Sequence, residues 1–414
     1  MIKQLFLSVL LIVAGQLSAQ SFNWPDGEAA DAWFTDTTRI DVASLGRQYV
    51  VTDYGVTLDS TTVQTRALQR VIDRCAGDGG GVVVLPRGTF LTGALFFKPG
   101  THLHLHDGAR LKGIDDIRHY PLIDQHFEGL PVRYFAALVN ADHVDGFTIT
   151  GHGIIDGNAR RFWDEFWLRR KQNPQCTNLE ALRPQLVLIS NSNNVSVEDV
   201  SLVNSAFWTN HLYRCNRVRY QGCRIIAPTE GKTRAPSSDA IDLDVCRDVV
   251  VRDCYINTCD DGVCLKGGRG LYVDRDTTAG EVHHVLVENC RFGHLSNAAL
   301  TLGSDAWSCH NVVMRRCQME GTVRLVLFKM RADTPQTFEL VRVEDCTGTV
   351  YNGIEVSPWT QFHDANRRPD MPPSVVRGVT LRNIALKCRG KFYDVRQSDQ
   401  YQTEDLNYEN CKSL

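Results

Sequence analysis

The sequence predicts an all-β chain: a single-stranded right-handed parallel β-helix with an N-terminal capping helix. Three observations carry that expectation. A short motif recurs along most of the chain, each copy alternates with period 2, and the spacing between copies varies without damaging the motif. Coils of a β-helix stack at about 4.8 Å, so strand positions must repeat while the turns between them lengthen freely.

The motif is two apolar residues at i and i+2, two polar or small residues, then a small or apolar one. It reads Val218-Arg-Tyr-Gln-Gly-Cys223, Val249-Val-Val-Arg-Asp-Cys254 and Val285-Leu-Val-Glu-Asn-Cys290, then Val312-Val-Met-Arg-Arg-Cys317 and Val341-Arg-Val-Glu-Asp-Cys346. Weaker copies begin at Phe147, Val195 and Val379. From Val200 to Ile384 the steps are 23, 31, 36, 27, 29 and 38 residues. Cys223, Cys254, Cys290, Cys317 and Cys346 then form an inward ladder on successive coils. Their Cβ vectors run parallel, which suits packing better than disulfide geometry, so reduced thiols are expected.

Ahead of the coils, residues 62–75 place Val63, Ala67, Leu68, Val71 and Ile72 on one helical face. Asp78-Gly79-Gly80-Gly81 turns that helix into the strand from Val82 to Leu85; without a following Gly-Lys-Ser/Thr it is a turn, not a phosphate cradle. Residues 1–19 have the anatomy of a secretory signal peptide: Lys3, an apolar run from Leu5 to Val13, then Leu17-Ser18-Ala19. No Cys follows before Cys75, so no lipid anchor is expected, and no later run is long enough to span a bilayer. Residues 20–414 are expected to form one β-helix domain, secreted or periplasmic and monomeric, with 158–183 and 363–374 as long turns over one face.

The 414 residues carry 45 Lys plus Arg against 48 Asp plus Glu, a net charge of −3. That balance argues against nucleic acid as a partner. With 43% hydrophobic and 22% charged residues, the chain is an ordinary globular one.

The chemistry concentrates where Asp239-Ala-Ile-Asp-Leu-Asp244 aligns with Asp261-Gly-Val-Cys-Leu-Lys266, one coil on. Ile241 then lies over Val263 and Leu243 over Leu265, which puts Asp239 over Asp261 with Asp260 beside it. Two carboxylates one rung apart repel by about 3 kcal/mol at an effective dielectric near 20. Structural sites avoid that cost, whereas catalysis uses it to separate an acid from a base. Glycoside hydrolysis needs such a pair.

These residues resemble the polygalacturonases and their relatives, the family 28 glycoside hydrolases of the pectin-lyase-like fold. That family carries Asn-Thr-Asp, Asp-Asp, Gly-His-Gly and Arg-Ile-Lys on successive coils. Here Ser237-Ser238-Asp239 is followed 21 residues later by Asp260-Asp261. Asp53-Tyr54-Gly55, Gly79-Gly80-Gly81, Gly151-His152-Gly153 and Trp208 near Asn204-Ser205 fit as well. The resemblance implies an inverting hydrolase of galacturonate-containing pectic polysaccharide or oligosaccharide, with Asp260 as general acid and Asp239 and Asp261 holding the water. It implies no metal and no cofactor.

Departures at the last two motifs bear on the chemistry. Ala298 stands where the family has His, and Leu327-Phe328-Lys329 keeps the Lys but loses the Arg. Lys329, with Lys266 two coils earlier and Arg331 on the same face, is expected to bind the substrate carboxylate. An outward Leu327 suits a less polar ring, which favours rhamnogalacturonan over homogalacturonan. Trp208 is a candidate sugar platform and His211 a candidate groove residue. His102, His104 and His106 alternate on one strand face, with Leu103 and Leu105 inward, and read as a solvated face rather than a metal site. A lyase on the same fold and a non-catalytic carbohydrate binder are the competing classes; retention of all three Asp argues against the second.

Overall fold

The computed structural model describes residues 21–231, 234–361, 363–364, 366 and 368–414; the expected signal peptide lies outside them. Parallel strands stack into three faces. One is a 12-stranded sheet running from Gln48–Val50 to Tyr401–Glu409. The other two ladders merge into a 19-stranded sheet, because Gln318–Arg331 and Thr347–Trp359 run unbroken across both. Parallel crossovers of this kind wind right-handed, and the fold is a right-handed parallel β-helix.

The repeat now has a physical reading. Its Val positions pair rung to rung, Val249 with Val218 and Val285, Val312 with Val285 and Val341. The residue before each ladder cysteine turns the corner in the left-handed region: Gly222, Asp253, Asn289, Arg316 and Asp345 have φ between 52° and 70°. Asn, Asp and Gly tolerate that conformation, which explains the motif's polar or small position. The five cysteines are buried and inward in register, and all fourteen cysteines are free thiols.

Helix α1 (Thr65–Gly77) closes the first coil and buries Leu68, Val71, Ile72 and Cys75. It begins two residues later than Val63, where Thr57 and Gln64 tie the incoming chain with side-chain bonds. The 158–183 segment, expected to be a long turn over one face, contains helix α2 (Arg160–Gln172). Phe162 and Phe166 lie one turn apart on its buried side, and Arg160–Asp164 and Arg161–Glu165 pair at i,i+4 on the other. An antiparallel hairpin, Leu122–Phe127 with Leu130–Phe135, also stands outside the coils. The N-terminal segment crosses the outer side of the 12-stranded sheet, packing Phe22, Trp24 and Phe34 on Val250, Leu286 and Val313. Among the described residues no helix is long and apolar enough to cross a membrane.

Candidate active site

One face of the 19-stranded sheet positions the carboxylates. Ile241 pairs with Val263 and Leu243 with Leu265, as the sequence register requires. Because inward positions are apolar, the alternate positions 242, 244, 264 and 266 must face out. Just before these strands, the Ala240 amide donates to the Asp261 carbonyl and the Thr209 amide to the Asp239 carbonyl, fixing Trp208, Asp239 and Asp261 on consecutive rungs. Asp239 and Asp260 line a cavity of about 550 Å³.

The three carboxylates have opposite surroundings. Asp261 is fully buried and accepts bonds from Lys329 Nζ at 2.6 Å, Thr301 Oγ1 at 2.5 Å and the Ala298 amide at 3.3 Å. Burial works against its charge, but the Lys329 ammonium and these donors hold its pKa below the usual carboxylate value. Asp260 is pushed the other way, by burial and by the Asp261 charge. Asn297 Nδ2 donates to it at 3.3 Å. Burial first, then the charges of Asp260 and Asp242, drive Asp239 well upward, against Lys266 at 3.9 Å. Asp242 is a fourth buried carboxylate, one that lies outside the family motif. Burial lifts it to about 8 despite Lys266 Nζ at 3.3 Å. Its outward position follows from the same period-2 count that places Lys266.

The structure brings Lys266, Lys329 and Arg331 to the cavity wall, each already engaged. Lys329 also lies over the Trp359 ring at 4.7 Å, and Arg331 is held by Asp333 through Nε at 2.7 Å and Nη2 at 2.6 Å. Trp208 lines the cavity but is 3% exposed, with the Lys266 ammonium 4.3 Å over its ring and Phe127 against it at 4.4 Å. A pyranose has no open ring face to stack on there. His211 does not reach the cavity. It sits under Trp208 at 5.0 Å, fully buried, bonded to Gln185 at 3.0 Å and Asp244 at 3.3 Å. Leu327 and Ala298 are fully buried too, so neither offers an edge to a sugar. Period 2 gives their direction and carries no information on the neighbouring outward side chains that cover them. His102 and His104 are half-buried and bond Thr148 and Thr150 on the next coil.

Several cavity residues escaped the sequence. Arg324 pairs with Glu355 at 2.5 Å and donates to Asn297 Oδ1 at 3.0 Å, reaching Asp260 through one amide. Arg324 pairs opposite Ala298 and shares its parity with the inward Val326, so a period-2 count sends it into the core. Glu128, at the hairpin tip with φ 49°, projects into the cavity beside Asn178. Burial and Asp305 raise its pKa. Helix α2 contributes Phe166, Trp167 and Arg170, and the loop before Asp239 contributes Arg234, whose guanidinium lies 4.4 Å over Trp167. Arg170 and Arg234 form no ion pair among the described residues. In total seven cationic side chains face the cavity against four carboxylates.

Carboxylates pushed apart in pKa at a cationic cavity, on a parallel β-helix, define a carbohydrate-active enzyme. A family model described as glycosyl hydrolases family 28 matches residues 125–357, more than half the chain, and the chain belongs to that family. It is a glycoside hydrolase, not a lyase or an inert binder. A probable polygalacturonase of Vitis vinifera is 28% identical over 229 residues, 53% of this chain but 44% of that protein. An exopolygalacturonase of Zea mays is 23% identical across 82% of this chain and 76% of its own length. Among solved structures, a hyperthermoactive exopolygalacturonase from Thermotoga maritima superposes with a TM-score of 0.75 at 23% identity, covering 87% of this chain and 86% of that one. These structural likenesses bear on the fold.

Proposed function

We propose that the enzyme hydrolyses the α-glycosidic bond to galacturonate in pectic chains, outside the cytoplasm, removing sugar from a chain end with inversion. The observation that carries this reading is the cavity itself: a cationic site beside an acid and a base, with walls raised outside the coils by the hairpin tip and helix α2. A polyuronide supplies the negative charge such a site accommodates, and the added walls favour a chain end over a chain middle. The polygalacturonase and exopolygalacturonase names of the relatives support both points.

Asp260, which burial and the Asp261 charge make hold its proton more tightly, delivers that proton to the leaving oxygen. Asp239 faces the cavity with Oδ1 lacking a hydrogen-bond partner, and takes the proton of the attacking water. Burial and its acidic neighbours raise the Asp239 pKa, and Lys266 opposes them by favouring the ionised form that can accept a proton. Asp261, expected to share the water with Asp239, has no exposed surface to reach it; it holds Lys329 in place, and its charge makes Asp260 hold its proton more tightly. Arg170 and Arg234 are the cations with charge left to meet a substrate carboxylate. A preference for rhamnose beside galacturonate rests on Leu327 and Ala298, and their burial removes that support.

Digestion of defined oligogalacturonates, sized by chromatography, tests the reading. Monogalacturonate should be the first product from every chain length, with inverted anomeric configuration in the first turnover by NMR. A spread of internal fragments would overturn end-wise action, and retained configuration would overturn the water-activating role of Asp239.

A further inference from the structure

Two consecutive residues, Asn297 and Ala298, serve the two neighbouring carboxylates separately. The Ala298 amide donates to Asp261 Oδ1 at 3.3 Å, and Asn297 Nδ2 donates to Asp260 Oδ1 at 3.3 Å. Asp260 Oδ2 accepts no hydrogen bond among the described residues, and Asp260 lines the cavity.

On its other side, Asn297 Oδ1 accepts from Arg324 Nη1 at 3.0 Å. An arginine has donors only, so it admits the oxygen of that amide and turns the nitrogen toward Asp260. Arg324 is itself fixed. Its backbone amide donates to the Asn297 carbonyl at 2.9 Å, and Glu355 holds its guanidinium through Nε at 2.5 Å and Nη2 at 3.4 Å. Glu355 is buried and tied in turn by Asn352 at 3.1 Å, Ser357 at 3.1 Å and Arg396 at 3.3 Å. An N–H donated to Oδ1 makes that atom the carbonyl oxygen of the neutral carboxyl group and leaves the hydroxyl at Oδ2.

We propose that Arg324 is a positioning residue for the general acid: by fixing the Asn297 amide, it places the transferable proton on Asp260 Oδ2, the oxygen left free to meet the glycosidic oxygen. The role rests on the reading of Asp260 as that acid. As the glycosidic C–O bond breaks, its electron pair stays on the leaving oxygen, which takes the proton from Oδ2. Water supplies the oxygen of the new bond to the anomeric carbon. The carboxylate left on Asp260 keeps the Asn297 N–H, which favours its charge against burial and Asp261. Asp239, Asp242, Cys259, Lys266 and Lys329 supply the rest of its field.

Arg324→Met and Asn297→Ala in the full-length enzyme test this on oligogalacturonate. Each should lower kcat about tenfold, the scale of one hydrogen bond to a charged group, and leave KM within about twofold. The alkaline limb of kcat/KM, where the acid loses its proton, should move up by about one pH unit, because a carboxylate without its donor is the stronger base. The double variant should match Asn297→Ala alone. A raised KM would make Arg324 a substrate clamp, and a further upward shift in the double variant would mean that its charge acts directly; either result overturns the proposal. So does an unmoved limb in Asn297→Ala, which keeps the Arg324–Glu355 pair and decides the matter if Arg324→Met fails to fold. Asp260→Asn, assayed beside them, isolates the premise: full activity there would overturn the acid reading itself.

Discussion

Two corners of this β-helix stack like residues on successive coils, with opposite electrostatic results. At one, five cysteines follow one another inward; at the other, Asp239 lies over Asp261 with Asp260 alongside. The thiols pack as small side chains that bond one another: burial pushes Cys223 and Cys290 well above their ordinary pKa, while bonds from the neighbouring thiols draw Cys254 and Cys317 down. The carboxylates resist burial and one another, so one is held ionised by Lys329 while its neighbours are driven toward the protonated form. Coil stacking delivers both arrays with the same backbone; side-chain ionisation decides which corner is packing and which is chemistry.

The sharpest way to break that comparison is Asp260→Asn. Hydrolysis is expected to fall by about 10²–10⁴-fold, the usual contribution of a positioned acid, measured as kcat on oligogalacturonate. Its stability should move the other way. A carboxylate whose folded pKa is raised stabilises fully below its unfolded pKa near 3.8, and that contribution is lost as pH rises through the folded value. The Asn variant should therefore melt higher than wild type at pH 7 and alike at pH 3. A lower melting temperature at pH 7 would mean that the carboxylates do not repel.

Next in size is Lys329→Met, which leaves Asp261 buried without its cation. A loss of about 3–5 kcal/mol is expected by denaturant unfolding, the scale of breaking a buried ion pair. Asp261→Asn in the same chain should recover most of it.

The pH–rate profile comes third. With Asp239 raised by burial, Asp260 and Asp242, the acid limb of kcat/KM should lie above the ordinary carboxylate range, and Lys266→Met should move it higher still. A limb near pH 4 unaffected by Lys266 would exclude Asp239 as the base.

The smallest effect belongs to the thiol corner. Cys254→Ala should cost about 1 kcal/mol, the scale of one buried methylene, and leave kcat unchanged.

Much of this contrast is legible in the amino-acid sequence, and for the same reason in both corners. Period-2 alternation and a recurring motif fix which side of a coil each residue takes, so Cys223 through Cys346 and the Asp239–Asp261 rung follow directly. Direction is not exposure, however. Leu327, Ala298 and His211 point outward and are nevertheless covered, Leu327 by its outward neighbours and His211 by Trp208. The cavity walls are out of reach for another reason. Glu128, Phe166, Trp167 and Arg170 sit on a hairpin and a helix inserted between strands, and an insertion has no rung to align with. Helix α2 does leave a signal, Phe162 and Phe166 one turn apart with i,i+4 charge pairs, though nothing in that pattern says where the helix docks.

The hairpin and helix α2 have a consequence for how such enzymes diversify. Both enter and leave through turns, so their tips can lengthen or shrink without disturbing strand pairing, provided that the hairpin keeps His126 on Asp244. Product pattern can then drift under selection independently of bond-breaking chemistry. A protein engineer could exploit the same freedom at the hairpin tip alone: Glu128→Gly, which keeps His126 on Asp244, would open the cavity to a longer polymer and turn the proposed end-wise action toward cutting in mid-chain.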